Sequence, residues 1–182
     1  ADGAKALIDE LHSALDPKAY RKAVALLAES EFIDIFGVEN SLTPAMDLFT
    51  KLGYLGLTCR LNTDAYLQQI GAGHLPHGAV AVAFSHSGSS ADTVKALRLA
   101  KSHGAKTIAI TNAIGAPLAS WADVTLLTGR DSHTIYGNAI FSRVADTALV
   151  DMLYMGVILS DYGRFSTALD ESGRMIRDRV FE

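Results

Sequence analysis

The sequence is poor in the residue type that builds disulfides and thiolate metal sites. Its 182 residues include a single cysteine, Cys59, so neither an intramolecular disulfide nor a zinc site made of cysteine thiolates can form. A chain of this kind suits the reducing environment of the cytoplasm, and we expect that location. The first residues, Ala1 to Lys5, also lack the basic and apolar segments of a secretory signal.

The sequence has no excess of basic residues. Sixteen lysine and arginine residues stand against twenty aspartate and glutamate residues, which gives a formal net charge of −4 at pH 7. Domains that bind nucleic acid usually carry a basic patch or stripe. We therefore expect DNA contact only through a domain outside this chain. The chain starts without methionine, which is typical of a segment cut from a longer protein.

No apolar run has the length and composition of a transmembrane helix. The most apolar stretch, from Val144 to Leu159, contains Asp146, Asp151 and Tyr154 and is shorter than the ~20 residues that a bilayer requires. A helix lying on a membrane surface would need a cationic face, and Arg143 is the only basic residue nearby. We predict a buried helix and no membrane contact.

Short β-branched or aromatic runs alternate with longer helical patterns after Glu31. This alternation predicts βαβ units and a parallel sheet. Some runs are apolar throughout, which is typical of strands covered by helices on both faces. We predict an α/β fold of the flavodoxin-like type, a three-layer sandwich with five parallel strands in the order 2-1-3-4-5. The predicted strands are Phe32–Phe36, Leu57–Leu61, Ala79–Phe84, Thr107–Thr111 and Val124–Leu127.

The helical segments carry recognisable start and stop signals. Ser89 or Ser90 can cap a helix that His103-Gly104 ends, and Pro44 fits the first turn of another. The remaining predicted helices are Lys5–Leu15, Pro17–Ala28, Thr43–Leu55, Asn138–Ser160 and Arg164–Val180. A chain of this length predicts one domain, with N-terminal helices in 1–30, the βα core in 31–129, and a loop and C-terminal helices in 130–182.

The predicted helix Asn138–Ser160 is apolar on nearly all sides. Such a helix must be buried within the fold and against something further. A second copy of the chain is the simplest partner, so we expect a homodimer or a higher homo-oligomer.

Two polar loops follow strands that the predicted order makes neighbours. The first loop, Gly37 to Ser41, follows strand one, and the second loop, Ser85 to Ser90, follows strand three. Open parallel sheets bind ligands where the connections reverse direction, which is at this pair of strands. Four serines and Gly88 before a helix N-terminus favour an anion such as phosphate. Serine and glycine are also ordinary turn residues, but the pairing of the two loops favours a binding site.

The segment Val82 to Thr93 resembles the phosphosugar-binding signature of the SIS (sugar isomerase) domain family, in which a Ser-x-Ser-Gly turn precedes a hydroxyl at the helix start. Three later segments are similar to the family's fourth and fifth strands: Thr107–Asn112, Pro117–Ala119 and Ala122–Val124. The resemblance implies a phosphorylated sugar as ligand. The positions that it assigns to the phosphate are Ser41, Ser85, Ser87 and Ser90, with Asn40 and His86 alongside.

The first loop departs from the family pattern at one position. Many members have Gly-x-Gly-x-Ser there, and this chain has Glu39 in place of the second glycine. A carboxylate near a phosphate is unfavourable unless it turns away, becomes protonated or binds sugar hydroxyls. We expect Glu39, His86 and His133 to face sugar hydroxyls.

The flanking segments Leu15–Tyr20 and Asp151–Val157 resemble the C-terminal effector domain of RpiR-type transcriptional regulators. This resemblance implies a sensor of a sugar phosphate whose DNA-binding helix-turn-helix domain is absent from this chain. The alternative is a phosphosugar isomerase that interconverts aldoses and ketoses, which requires an acid and a base. The candidates for those roles are Glu39, His86, His133 and Asp131, and they form no distinctive pair.

Two further alternatives have weaker support. His74 and His77 flank Pro76 in a connector, a spacing that is weak evidence for zinc, so we predict surface residues there and neither a metal nor a cofactor. A purely structural dimerisation module would explain the apolar helix but would leave the paired serine loops without a purpose. We therefore prefer the sensor.

Overall fold

The computed structural model describes residues 2–129 and 143–177. Its centre is a sheet of five parallel strands: β1 (Ile33–Phe36), β2 (Cys59–Leu61), β3 (Val80–Phe84), β4 (Lys106–Thr111) and β5 (Val124–Leu127). The strand order is β2-β1-β3-β4-β5, which confirms the predicted fold class and topology. Because Phe36 at the end of β1 pairs with Ala83 of β3, the chain leaves both strands at the same edge of the sheet.

Seven α-helices are present in the described residues: α1 (Asp2–Ala14), α2 (Pro17–Glu29), α3 (Leu42–Tyr54), α4 (Ala65–Ala72), α5 (Ala91–Ser102), α6 (Val144–Ser160) and α7 (Tyr162–Met175). The sequence analysis did not identify α4. The predicted stretch 138–142 of the helix before Ser160 lies outside the described residues. The final helix begins at Tyr162 instead of Arg164, because Asp161 caps it by accepting a hydrogen bond from the Arg164 backbone N–H at 3.0 Å.

The two faces of the sheet bury different side chains. Along β3, Val80, Val82 and Phe84 belong to a core shared with α1, α2, α3, α6 and α7. The alternating alanines of the same strand belong to a second core shared with α5 and the end of α4. Successive side chains of a strand point to opposite faces, so this one strand separates a core of large side chains from a core of small ones.

Helix α6 is buried on one side, as the apolar sequence predicts. Leu149, Val150, Leu153 and Val157 are fully enclosed in the first core. Its other side leaves Met152, Met155 and Leu159 exposed. In the part of the chain that the structure describes, no helix combines the length and the hydropathy needed to span a bilayer.

Candidate functional site

The second loop is held on the end of β4. The carbonyl oxygen of His86 accepts hydrogen bonds from the backbone N–H of Asn112 at 3.0 Å and from the hydroxyl of Thr111 at 3.1 Å. The backbone N–H of Ser85 donates to the carbonyl of Ile110 at 3.0 Å. The loop backbone is therefore fixed by a neighbouring strand. Within the loop, the Ser87 hydroxyl accepts from the Ser89 N–H at 3.3 Å, and the Ser90 hydroxyl accepts from the Thr93 hydroxyl at 3.3 Å.

Gly88 is required by the shape of the second loop. Its φ is +62°, in the left-handed region that favours glycine. A Cβ atom at this position would lie 2.3 Å from the Ala116 Cβ and 2.8 Å from the Thr111 hydroxyl oxygen. Glycine thus lets the loop pack directly against the chain that follows β4.

The helices that follow the two loops begin without a side-chain cap, as does α6. Aspartate side chains cap α2, α4 and α7 by accepting first-turn backbone hydrogen bonds. By contrast, Ser41 before α3 and Ser90 before α5 make no side-chain cap. Uncapped N-termini carry partial positive charge. At α3 the Leu42 N–H already bonds the carbonyls of Glu39 and Asn40, and Pro44 has no N–H, so the free first-turn donors are mainly those of α5. The two N-termini, each beginning at a serine, lie at the same edge of the sheet.

The first loop is held at its start by Gln68 of α4. The buried Gln68 amide accepts from the Gly37 N–H at 3.2 Å and donates to the Gly37 carbonyl at 2.7 Å. It also donates to the Asn62 carbonyl at 2.8 Å. The side chain therefore pairs with both polar groups of Gly37 where β1 ends, and so orients the residues that follow.

Glu39 adopts a backbone conformation that favours glycine. Its φ is +51°, and it is the only non-glycine residue with positive φ among those the structure describes. Such a conformation costs about 1–2 kcal/mol for an ordinary residue. The turn itself thus explains why many family members have glycine at this position. Here a glutamate adopts the strained conformation, and its side chain is exposed.

A polar cluster connects the two loops to the start of α6. The Arg143 guanidinium donates from Nε to the Asn40 carbonyl at 3.0 Å and lies 3.5 Å from the Asp146 carboxylate. Asp146 is buried and also bonds the Thr128 side chain. Both Asp146 and Arg143 interact electrostatically with His86 of the second loop.

Burial dominates the proton equilibria of this cluster. It raises the pKa of Asp146, against the opposing effects of the Thr128 hydrogen bond and of the Arg143 charge. Burial also lowers the pKa of His86. The Asp146 carboxylate partly offsets this decrease, and the Arg143 charge adds to it. The Nδ1 atom of His86 is buried and has no hydrogen-bond partner. Neutral imidazole is therefore favoured at pH 7.

The predicted site residues fall into two groups. The first group lies at the edge of the sheet. Its exposed members are Glu39, Asn40 and Ser87, its half-buried members are Ser41, His86 and Ser90, and Ser85 is buried. His133 and Asp131 lie outside the described residues. His74 and His77 are exposed surface residues. Within 2–129 and 143–177, no three His, Cys, Asp or Glu side chains converge as a metal site.

Three residues of this region were not assigned to the site from the sequence: Gln68, Arg143 and Asp146. The signal for Asp146 was a carboxylate inside a strongly apolar stretch, with Arg143 as its only basic neighbour. Gln68 gave no signal, because its contacts with the first loop are with backbone atoms of Gly37, 31 residues away in the chain.

Two clefts lie away from these loops. One, of about 590 Å³, is lined by residues of α2, α6 and α7, among them Val24, Gly156 and Leu159. The other, of about 490 Å³, is lined by residues of α1 and α6, including Ile8 and Met152. Both border the exposed side of α6.

Comparison with known proteins identifies a family match over most of the chain. The SIS domain model matches residues 26–156. The uncharacterized HTH-type transcriptional regulator TTE0211 of Caldanaerobacter subterraneus subsp. tengcongensis is 30% identical over 96% of this chain and 62% of its own length. This chain spans between 51% and 62% of five such curated regulators.

Two solved structures are similar in fold. NanR of Vibrio vulnificus, complexed with ManNAc-6P, has a TM-score of 0.92 and 24% identity, with 100% of this chain and 68% of that chain covered. The sugar isomerase domain of an RpiR transcription factor from Sphaerobacter thermophilus has a TM-score of 0.85 and 22% identity, with 95% of both chains covered. Since the family model spans most of the sequence and the serine loop lies within it, this chain belongs to the SIS domain family.

Proposed function

We propose that this chain is the sugar-phosphate-binding effector domain of an RpiR-type transcriptional regulator, and that DNA is bound by a part of that regulator outside this chain. The relative from Caldanaerobacter is an HTH-type regulator that is considerably longer than the matched region. The acidic net charge of the chain favours a sensing role over direct DNA contact.

The observation that carries the proposal is the pair of uncapped serine N-termini at one edge of the sheet. Ser41 begins α3 and Ser90 begins α5, and neither side chain caps its own helix. A phosphate at this edge would accept hydrogen bonds from free first-turn N–H groups and from serine hydroxyls. In this proposal Ser41, Ser85, Ser87 and Ser90 bind the phosphate, while Glu39, Asn40 and His86 face the sugar.

The expected affinity follows from the number of these contacts. Each charge-assisted hydrogen bond contributes about 1.5–3 kcal/mol, and association costs about 4–15 kcal/mol. Four or five contacts therefore allow micromolar to millimolar binding, which suits the sensing of a metabolite. The NanR neighbour is complexed with ManNAc-6P, a phosphorylated sugar of the class proposed here.

The contacts favour a sensor over an isomerase. Aldose-ketose interconversion requires a base that moves a proton between adjacent carbons and an acid that assists ring opening. Among the described residues, Glu39 and His86 share neither a hydrogen bond nor an ion pair, and the Nδ1 of His86 has no partner. A test is deuterium exchange at the carbon next to the carbonyl of a bound sugar phosphate. The sensor predicts no exchange above background, and rapid exchange would contradict it.

The binding proposal is tested by calorimetry with a panel of hexose phosphates. Ser87→Ala removes an exposed hydroxyl of the second loop, and we expect affinity to fall about tenfold, the loss of one charge-assisted hydrogen bond. The matched control is Ser102→Ala at the other end of α5, where the hydroxyl bonds only its own helix and its neighbour His103. Equal affinity in Ser87→Ala and wild type would contradict the assignment of Ser87.

We further propose that the chain forms a homodimer through the exposed side of α6 and the start of α7. Met155 is 50% exposed, Leu159 is 68% exposed and Tyr162 is 66% exposed. Leu159 also lines the cleft between α2, α6 and α7, and the exposed Met152 of α6 lines the other cleft. Contiguous exposed apolar surface of this kind marks protein interfaces.

A further inference from the structure

Four elements of the fold meet at the Arg143–Asp146 pair. Arg143 precedes the first turn of α6 and donates to the Asn40 carbonyl of the first loop. Asp146, one turn later, bonds Thr128 at the end of β5 and interacts with His86 of the second loop. The pair therefore contacts the first loop through Arg143, interacts electrostatically with His86 of the second loop, and lies at the start of the helix that forms the proposed dimer surface.

The chemistry of each partner suits this position. An arginine guanidinium presents several N–H donors in a fixed planar arrangement, so it can bind a carbonyl and a carboxylate at once, whereas a lysine ammonium lacks that geometry. Asp146 is only 6% exposed, and a buried carboxylate needs paired or hydrogen-bonded neighbours. Its partners here are the groups that fix the two loops.

The first loop depends on this support. The Gln68 amide holds its start at Gly37, and Arg143 holds the Asn40 carbonyl one residue before Ser41. Between these two anchors lies Glu39, whose backbone is strained. A loop with a strained residue between two anchors is expected to lose its geometry when one anchor is removed.

We propose that Arg143 and Asp146 are positioning residues that join the two loops of the site to α6, so that occupancy by a phosphorylated sugar changes the stability of the first turn of that helix. This inference rests on the proposed function, and it adds the contacts through which ligand binding affects α6, the helix with the proposed dimer surface. Arg143 holds the loop that carries Ser41, and Asp146 holds Arg143.

The test is a double-mutant cycle on sugar-phosphate affinity, measured by calorimetry with the hexose phosphate that binds wild type most tightly. We expect Arg143→Met and Asp146→Asn each to weaken binding about tenfold, and the double variant to be no weaker than either single one, because the residues act as a unit. Arg143→Lys should behave as Arg143→Met, since lysine cannot hold both partners. The control Lys51→Met removes a cation that pairs with Asp151 of α6 but touches neither loop, and affinity should not change.

Hydrogen exchange distinguishes coupling between the site and α6 from a purely structural role of Arg143, because only coupling makes amide protection in α6 depend on the ligand. In wild type, saturating sugar phosphate should increase the protection of the backbone amides at the start of α6 severalfold. In Arg143→Met at saturation, that increase should disappear. Thermal unfolding of each variant without ligand checks that the fold is retained.

The outcomes separate the two proposals. If wild type binds no hexose phosphate, the proposed function fails and this inference fails with it. If wild type binds and the effects of Arg143→Met and Asp146→Asn simply add, or if ligand protects α6 equally in Arg143→Met, the inference alone is wrong.

Discussion

Gln68 illustrates how a single buried side chain shapes the site from outside it. Its amide satisfies both backbone groups of Gly37 and also the carbonyl of Asn62. No other described side chain pairs with the backbone of Gly37, so the start of the first loop is held by this one residue.

Gln68→Leu should destabilise the fold and loosen the first loop. Leucine leaves the N–H and the carbonyl of Gly37 without partners, and each buried unsatisfied group costs about 1–3 kcal/mol. Urea unfolding measures the loss. The control Gln69→Leu removes only a hydrogen bond to Asp92 on the surface and should change the free energy of unfolding by less than about 0.5 kcal/mol. Equal stability of the two variants would contradict the role given to Gln68.

His86 makes the stability of the fold depend on pH. Burial lowers its pKa in the folded chain, so the unfolded chain binds this proton more readily. The free energy of unfolding therefore falls as pH drops below about 6.5, the ordinary pKa of histidine. His86→Asn should flatten this part of the pH dependence in urea titrations. A pH profile that is unchanged in His86→Asn would refute this account.

At the scale of elements, α6 and α2 approach closely because residue 156 is glycine. A Cβ atom there would lie 2.4 Å from the Tyr20 hydroxyl oxygen and 2.7 Å from a Val24 methyl carbon. That hydroxyl donates to the Met152 carbonyl at 2.6 Å. The glycine thus permits both the helix contact and a hydrogen bond across it.

Gly156→Ala should therefore destabilise the fold, although alanine favours helices. Overpacking costs about 1–3 kcal/mol, which exceeds the gain in helix propensity of about 1 kcal/mol. Gly173→Ala in α7 is the matched control, because nothing lies near its Cβ position, and it should stabilise the fold. Thermal or urea unfolding compares them, and a stabilised Gly156→Ala would show that the helices can separate without cost.

The elements predicted from the sequence are those with strong local signals. The five strands and their order follow from apolar runs at regular intervals, and the serine loop follows from its own composition. Helix α4 was missed because it has only eight residues, two turns, which give little periodicity. The contacts of Gln68 and of the Arg143–Asp146 pair join residues that are far apart in the chain, so only the folded arrangement reveals them. The sequence shows that Glu39 replaces a glycine of the family pattern, but its positive φ is visible only in the structure.

For the whole molecule, the exposed side of α6 is an apolar surface that the described fold leaves uncovered. We expect Leu159→Asp to convert a dimer into a monomer, because a carboxylate in an apolar interface carries a large desolvation cost. Size-exclusion chromatography with light scattering gives the mass. The control Tyr66→Asp changes an exposed aromatic residue on α4, beyond the opposite face of the sheet, and should leave the mass unchanged. A monomeric wild type would contradict the proposed dimer.

The central claim is that this fold binds a sugar through its phosphate at the two serine loops. The most direct measurement is a calorimetric titration of wild type with several hexose phosphates, each beside the same sugar without phosphate. We predict micromolar to millimolar binding of at least one phosphorylated sugar and none for its unphosphorylated form. Equal binding of both forms, or binding of neither across the panel, would contradict the account.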